Sequence, residues 1–99
     1  MTIPIEIRLE CEWEPSWIDA QTRLAMAAEI LKIPFYIVTD EVAYAYKDFE
    51  SMAAHADLSR LSRLAAQGWW DQHAKQVNSI DEARRVLYPW FHEGEEFPQ

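Results

Sequence analysis

The chain has 99 residues, of which 49% are hydrophobic and 26% charged, and its 17 acidic residues outnumber 9 basic ones to give a net charge of −8. This length and composition are those of a single globular domain, and they exclude a disordered or fibrous chain. Negative charge repels phosphate backbones, so we expect no direct binding to nucleic acid and favour a protein partner with a basic surface.

The cysteine content and the apolar segments indicate the compartment. Cys11 is the one cysteine of the chain, so an internal disulfide is excluded and a reducing compartment is favoured. The first ten residues lack the basic start and the apolar run of a secretory signal. The longest apolar run, residues 33–38, falls far short of the roughly 20 residues that span a bilayer. We therefore expect a cytoplasmic protein that does not enter membranes.

Residues 1–14 predict a long β-strand, because apolar and polar side chains alternate there with a period of two. Pro4 lacks an amide donor, which is typical of an edge strand. The outward face of this strand carries four candidate partner-binding carboxylates: Glu6, Glu10, Glu12 and Glu14. Such a row fits a basic groove on a partner. It also deters aggregation through the open edge, and the sequence leaves both roles open.

A helix and a second strand are predicted next. Residues 17–32 place apolar side chains at the three- and four-residue spacing of one helical face, and Pro34 ends the pattern. Residues 35–39 form a short apolar run rich in β-formers, which predicts a buried strand. If this strand paired in parallel with the first, the chain would begin with a right-handed βαβ unit.

The middle of the chain is harder to assign. Residues 42–47 fit a strand and a helix almost equally, and we favour a strand. Residues 48–77 are predicted to be helical, with Asp48 capping a first helix and Asp57 capping a second. The apolar positions of the second helix predict its buried side: Leu58, Leu61, Leu64, Ala65 and Trp69.

The last predicted helix spans residues 80–91. Ser79 and Glu82 have the spacing of a capping box at its start. Pro89 is expected to kink or end the helix, and residues 92–99 have the polar composition of a solvated tail.

Together these elements predict the α+β class over residues 1–99. We expect one small domain in which two or three strands, beginning with the long acidic edge strand, pack with three or four helices.

Motifs that carry catalysis are missing from the sequence. With only two glycines, the chain cannot build the glycine-rich loops that hold phosphates. The three histidines, His55, His73 and His92, are 18 and 19 residues apart, and no two of them have the helical spacing of a shared metal site. We therefore expect no metal, no cofactor and no enzymatic activity.

The tryptophans are the most informative side chains, because five in 99 residues is many and tryptophan dominates binding hot spots. Trp70 with His73, or Trp90 with Phe91, is a candidate anchor for a protein partner. Burial of both Trp69 and Trp70 in the core is the alternative, and the sequence does not decide between core and surface. Another alternative is a small-molecule or enzymatic pocket lined by Trp69, Trp70, His73 and nearby acids.

The function favoured by the sequence is that of a small acidic binding protein without catalysis, an inhibitor or adaptor that docks an acidic and aromatic surface on another macromolecule. In size, charge and lack of catalytic motifs the chain resembles the compact acidic inhibitors that phages and mobile elements encode, including nucleic-acid mimics and anti-CRISPR proteins. No stretch of sequence carries this resemblance. Self-association into a homo-oligomer is a further possibility that the sequence leaves open.

Overall fold

The computed structural model describes residues 6–10 and 17–98. Its described part has eight elements, four strands and four helices, and belongs to the α+β class predicted from the sequence. In chain order they are β1 (Glu6–Arg8), α1 (Trp17–Leu31), β2 (Phe35–Thr39), β3 (Ala43–Tyr46), α2 (Phe49–Ala56), α3 (Arg60–His73), β4 (Ala74–Val77) and α4 (Ile80–Phe91).

The four strands form one antiparallel sheet in the order β1-β3-β2-β4. The β2–β3 hairpin is its centre, with Tyr36 opposite Tyr46 and Thr39 opposite Ala43. Because β1 and β2 are both antiparallel to β3, they run in the same direction with β3 between them. The chain therefore begins with a split βαβ arrangement, and the direct parallel pairing considered from the sequence does not form.

The sheet has helices on both faces, because its central strands bury side chains on both sides. In β2, Phe35 and Ile37 belong to one apolar cluster, and Val38 belongs to the other. The first cluster packs against α1 and α4, and the second against α2 and α3. The main fully buried large side chains of the first cluster are Phe35, Leu9, Leu24, Ile37, Leu87 and Val77.

The first strand is shorter in the described residues than the sequence predicts. Only Glu6–Arg8 pair with β3 as a ladder at the edge of the sheet. Leu9 follows with one further backbone hydrogen bond, from its N–H to the Ala43 carbonyl at 2.8 Å, and its side chain is fully buried. The remainder of the predicted strand, residues 1–5 and 11–14, lies outside the described residues.

The segment predicted as entirely helical, residues 48–77, contains a strand. The predicted helix holds as far as His73, but Ala74–Val77 form β4, whose backbone pairs with β2. The prediction was wrong here because AKQV has no strong strand pattern of its own, and its conformation is fixed by hydrogen bonds to a distant part of the chain.

Of the two helix N-caps predicted in this segment, the first is confirmed and the second is wrong. Asp48 caps α2 as predicted. Asp57, predicted to begin the next helix, instead ends α2 in a left-handed conformation with φ of 51°. Ser59 caps α3, and its side-chain oxygen accepts from the Ser62 N–H. Asp and Ser both satisfy the free N–H groups of a helix start, so the sequence offered two capping positions within three residues.

Replacing Asp48 with alanine is expected to lower the free energy of unfolding by about 1 kcal/mol, because its Oδ1 accepts from the first turn of α2. This hydrogen bond, from the Ser51 N–H, is 2.7 Å long. Urea denaturation would measure the loss. Asp57→Asn is the matched control, since it removes the same charge from the other end of the helix and asparagine tolerates the left-handed conformation. An equal loss in both variants would refute the capping role.

The predicted buried side of α3 is wrong for Leu61, Leu64 and Ala65, which are exposed, whereas Leu58 and Trp69 pack half-buried against the second cluster. Leu61 is 79% exposed and Leu64 69% exposed, whereas Trp70 on the opposite side of the helix is 7% exposed. The helix therefore faces the sheet with Trp70 and presents two leucines outward.

The C-terminal elements end in a segment that packs on the domain. α4 begins at the predicted Ser79 cap and continues through Pro89 to Phe91. The tail predicted to be solvated turns back through Gly94, which has a φ of 86°. Its Phe97 ring contacts the rings of Trp17 and Tyr88 at centroid distances of 6.3 and 5.5 Å. The tail prediction was therefore wrong for Phe97, whose ring is anchored by an aromatic cluster.

Within the described residues, none of the helices combines the length and the apolar character needed to cross a membrane.

Candidate protein-binding surface

The predicted row of carboxylates on the first strand is only partly described, and its described members contact nitrogen-bearing side chains. Glu6 contacts the imidazole of His55, and Glu10 contacts the guanidinium of Arg8. Both glutamate side chains are only 19% exposed. The other two predicted members lie outside the described residues: Glu12 and Glu14. The described glutamates are therefore largely covered by neighbouring side chains and do not form an open row of carboxylates along the strand.

Trp70, one of the predicted anchors, is the centre of the cluster between the sheet and α2 and α3. Its ring contacts those of Tyr36, Tyr46 and Phe49 at centroid distances of 5.2, 6.0 and 5.7 Å. For this side chain the structure resolves the choice between core and surface in favour of the core. Trp70 is therefore unavailable to a partner while α3 stays packed on the sheet.

The other two tryptophans of this region, Trp69 and Trp90, converge on the turn between β2 and β3. The Trp69 indole N–H donates to the carboxylate of Asp40 at 2.8 Å. The Trp90 indole N–H donates to the backbone carbonyl of the same residue at 3.1 Å. Because α3 and α4 lie on opposite faces of the sheet, Asp40 is hydrogen-bonded to both helical layers.

Asp40 and Glu41 form what we call the acidic turn. Both residues are exposed, while Trp69 and Trp90 beside them are half-buried. Across the described ranges, no lysine, arginine or histidine forms an ion pair with either acid. In this respect the acidic turn differs from Glu10 and Glu50, each of which pairs with an arginine. It is a place where negative charge and aromatic surface are both accessible.

Two further rings extend this surface. His73 contacts the Trp69 ring at a centroid distance of 5.7 Å. Phe91 contacts the Trp90 ring edge-on at 5.0 Å. The predicted pair of Trp90 with Phe91 is therefore present, and the histidine predicted to accompany Trp70 contacts Trp69 instead.

Two open concavities lie along the C-terminal segment, one of about 350 Å³ and one of about 210 Å³. The larger is lined by Phe91, His92, Glu93 and Glu95, and the smaller by Arg85, Pro89, Glu96 and Phe97. Neither contains the Trp69, Trp70 and His73 side chains of the alternative pocket considered from the sequence. Of its three proposed lining rings, those of Trp69 and His73 are in contact with each other, and that of Trp70 packs on Tyr36, Tyr46 and Phe49.

The three histidines lie in separate surroundings. His55 pairs with Glu6, His73 contacts Trp69, and His92 stacks on Tyr88 at a centroid distance of 3.8 Å. Among residues 6–10 and 17–98, no group of three or more His, Cys, Asp or Glu side chains is arranged to hold a metal ion.

Comparison of the chain with protein-family models, with curated proteins and with solved structures gives no match.

Proposed function

We propose that the protein is a non-catalytic binding protein, an inhibitor or adaptor that docks the acidic turn on a basic surface of another protein. The observation that supports this proposal most directly is the accessibility of Asp40 and Glu41, which no basic side chain of the described residues neutralises. Asp40 lies between the indole N–H groups of Trp69 and Trp90, two side chains that are themselves partly exposed.

The chemistry of this surface fits an arginine or lysine side chain. A guanidinium can bind a carboxylate through two hydrogen bonds and can stack on an indole ring at the same time. The Asp40 carboxylate uses one hydrogen bond to hold Trp69 and keeps further lone pairs for a partner. Because that bond already fixes the carboxylate, little side-chain freedom is lost on docking.

The charge of the whole chain favours the same class of partner. A net charge of −8 attracts basic proteins over several ångströms and raises their rate of association. A protein surface that normally holds nucleic acid is one such partner, which gives the nucleic-acid-mimic form of the proposal. The acidic turn would supply the local contacts, and the net charge would supply the steering.

An NMR titration with a short arginine-rich peptide tests the proposal. Five tryptophans give five indole N–H signals, and we expect those of Trp69 and Trp90 to shift most because their N–H groups point at Asp40. Neutralising the acidic turn with Asp40→Asn and Glu41→Gln should weaken binding about fivefold to tenfold, as expected for two partly exposed charges. Added salt should weaken wild-type binding in the same way.

The matched control is Glu95→Gln with Glu96→Gln, which removes the same charge from two exposed positions in the C-terminal segment. If this control weakens peptide binding as much as the acidic-turn variant, then net charge alone accounts for the interaction. The proposal would fail in that case, as it would if the indole signals of Trp69 and Trp90 did not move.

A further inference from the structure

The outward side of α3 is apolar and does not pack on the rest of the described chain. Leu61 and Leu64 are 79% and 69% exposed, and Ala65 and Gly68 beside them are exposed as well. At 100° per residue these four lie within one arc, about 180° from Trp70. We call this arc the outer face of α3. Large exposed leucines on a helix whose other side is already buried indicate a surface that is covered by a partner.

Gly68 gives this face a specific shape. A Cβ added at this position would meet nothing within 4 Å, and the backbone there is not in the left-handed region that favours glycine. The fold therefore does not need a glycine at a position where glycine weakens the helix relative to alanine. What a glycine does provide is a hollow on the helix surface into which another side chain can fit.

The outer face is complementary to itself. In an antiparallel pair of α3 helices centred between residues 64 and 65, Leu61 of one copy lies opposite Gly68 of the other, about 10 Å along the helix from its own glycine. Leu64 then lies opposite Ala65. Each copy thus offers a large side chain where the other offers a small one, which is the arrangement that a two-fold interface requires.

The charges of α3 favour the same arrangement. The helix carries Arg60 and Arg63 near its start and Asp71 near its end. Antiparallel packing brings Arg60 of one copy towards Asp71 of the other, whereas parallel packing would place like charges together. With two bases and one acid, α3 also lacks the negative excess by which two copies of the whole chain would otherwise repel each other.

We propose that the outer face of α3 binds a second copy of this chain, antiparallel and about a two-fold axis. A helix of 14 residues buries less than the roughly 800 Å² per partner of a standard interface, so the dimer is weak and forms in the micromolar range. The inference is independent of the proposed function, because the acidic turn and the outer face of α3 are different surfaces.

Sedimentation velocity over a range from about 5 to about 500 μM tests this dimer. We expect the wild-type protein to move from monomer towards dimer across that range. Leu61→Lys should raise the dissociation constant at least about tenfold by placing a charge in the interface. Gly68→Ala should raise it several-fold by filling the hollow, while the monomer unfolds at the same or a higher denaturant concentration because alanine favours the helix.

The matched control is Ile18→Lys on α1, on the other side of the sheet, where the isoleucine is 74% exposed. This change should leave the dissociation constant unaltered. A charge test is also available: Arg60→Glu should weaken the dimer, and adding Asp71→Arg should restore it. The proposal is overturned if the wild-type protein stays monomeric up to about 500 μM. It is equally overturned if Gly68→Ala dimerises as tightly as wild type, or if Ile18→Lys separates the dimer.

Discussion

Replacing Trp70 with alanine is expected to lower the free energy of unfolding by about 3–5 kcal/mol, the range typical of a large aromatic side chain deleted from a core. Trp70 is the one residue of α3 that is buried in the described structure. Its ring makes contact with both central strands and with α2 through Tyr36, Tyr46 and Phe49. Its removal is therefore expected to leave a cavity between α3 and the sheet and to weaken their packing.

Denaturation in urea, followed by circular dichroism, measures this loss. Trp69→Ala is the matched control, because it removes the same side chain from the next residue, which is half-buried and has one hydrogen bond to Asp40. We expect Trp69→Ala to cost about 1–2 kcal/mol. Equal losses in the two variants would contradict the orientation of α3 described above.

The elements that the sequence predicts correctly are those with strong local signals. α1 has a regular apolar face and ends before Pro34, and α4 begins at a serine with a glutamate three residues later. Each of these signals acts between residues within one or two turns of each other. The same holds for the apolar run of β2, which forms a strand over the predicted residues 35–39.

The errors arise where the position of a side chain depends on contacts between residues far apart in the sequence. The leucines of α3 made one side of that helix look like core, but the sheet offers tyrosine rings, and these pack against Trp70 on the other side. The acidic turn is built from hydrogen bonds that join residues 29 and 50 positions apart. The sequence indicates an excess of aromatic residues but not where they meet, and only the fold brings Asp40 between Trp69 and Trp90.

For the acidic strand, the sequence predicts the secondary structure correctly but not the partners of its charged side chains. Its alternation correctly predicted an edge strand for Glu6–Arg8. Alternation says which side of the sheet a side chain is on, but it does not say which charge comes to face it. His55 reaches Glu6 from α2, nearly fifty residues along the chain, and the alternation could not reveal that contact.

The free energy of unfolding is expected to fall by about 1.4 kcal/mol for each pH unit above pH 10, because of Tyr46. This side chain is 6% exposed, and burial raises the pKa of its hydroxyl well above the ordinary value. The negative charge of Glu6, which pairs opposite it across β1 and β3, and the neighbouring Tyr44 raise the pKa further. The folded protein therefore keeps the Tyr46 proton at a pH where the unfolded chain has lost it.

The sign of the effect follows from proton binding. Above pH 10 the unfolded state binds fewer protons than the folded state, so each increase in pH favours unfolding. Tyr46→Phe keeps the ring in the core and removes the titrating group, so its stability should change less between about pH 9 and about pH 11. Tyr44→Phe, two residues away on the same face of β3, is the matched control and should keep the alkaline loss because Tyr46 is still present. Urea denaturation at several pH values gives the free energy of unfolding as a function of pH. If this free energy falls equally steeply above pH 10 in wild type and in Tyr46→Phe, then the buried hydroxyl is not the cause, and other ionising groups destabilise the fold.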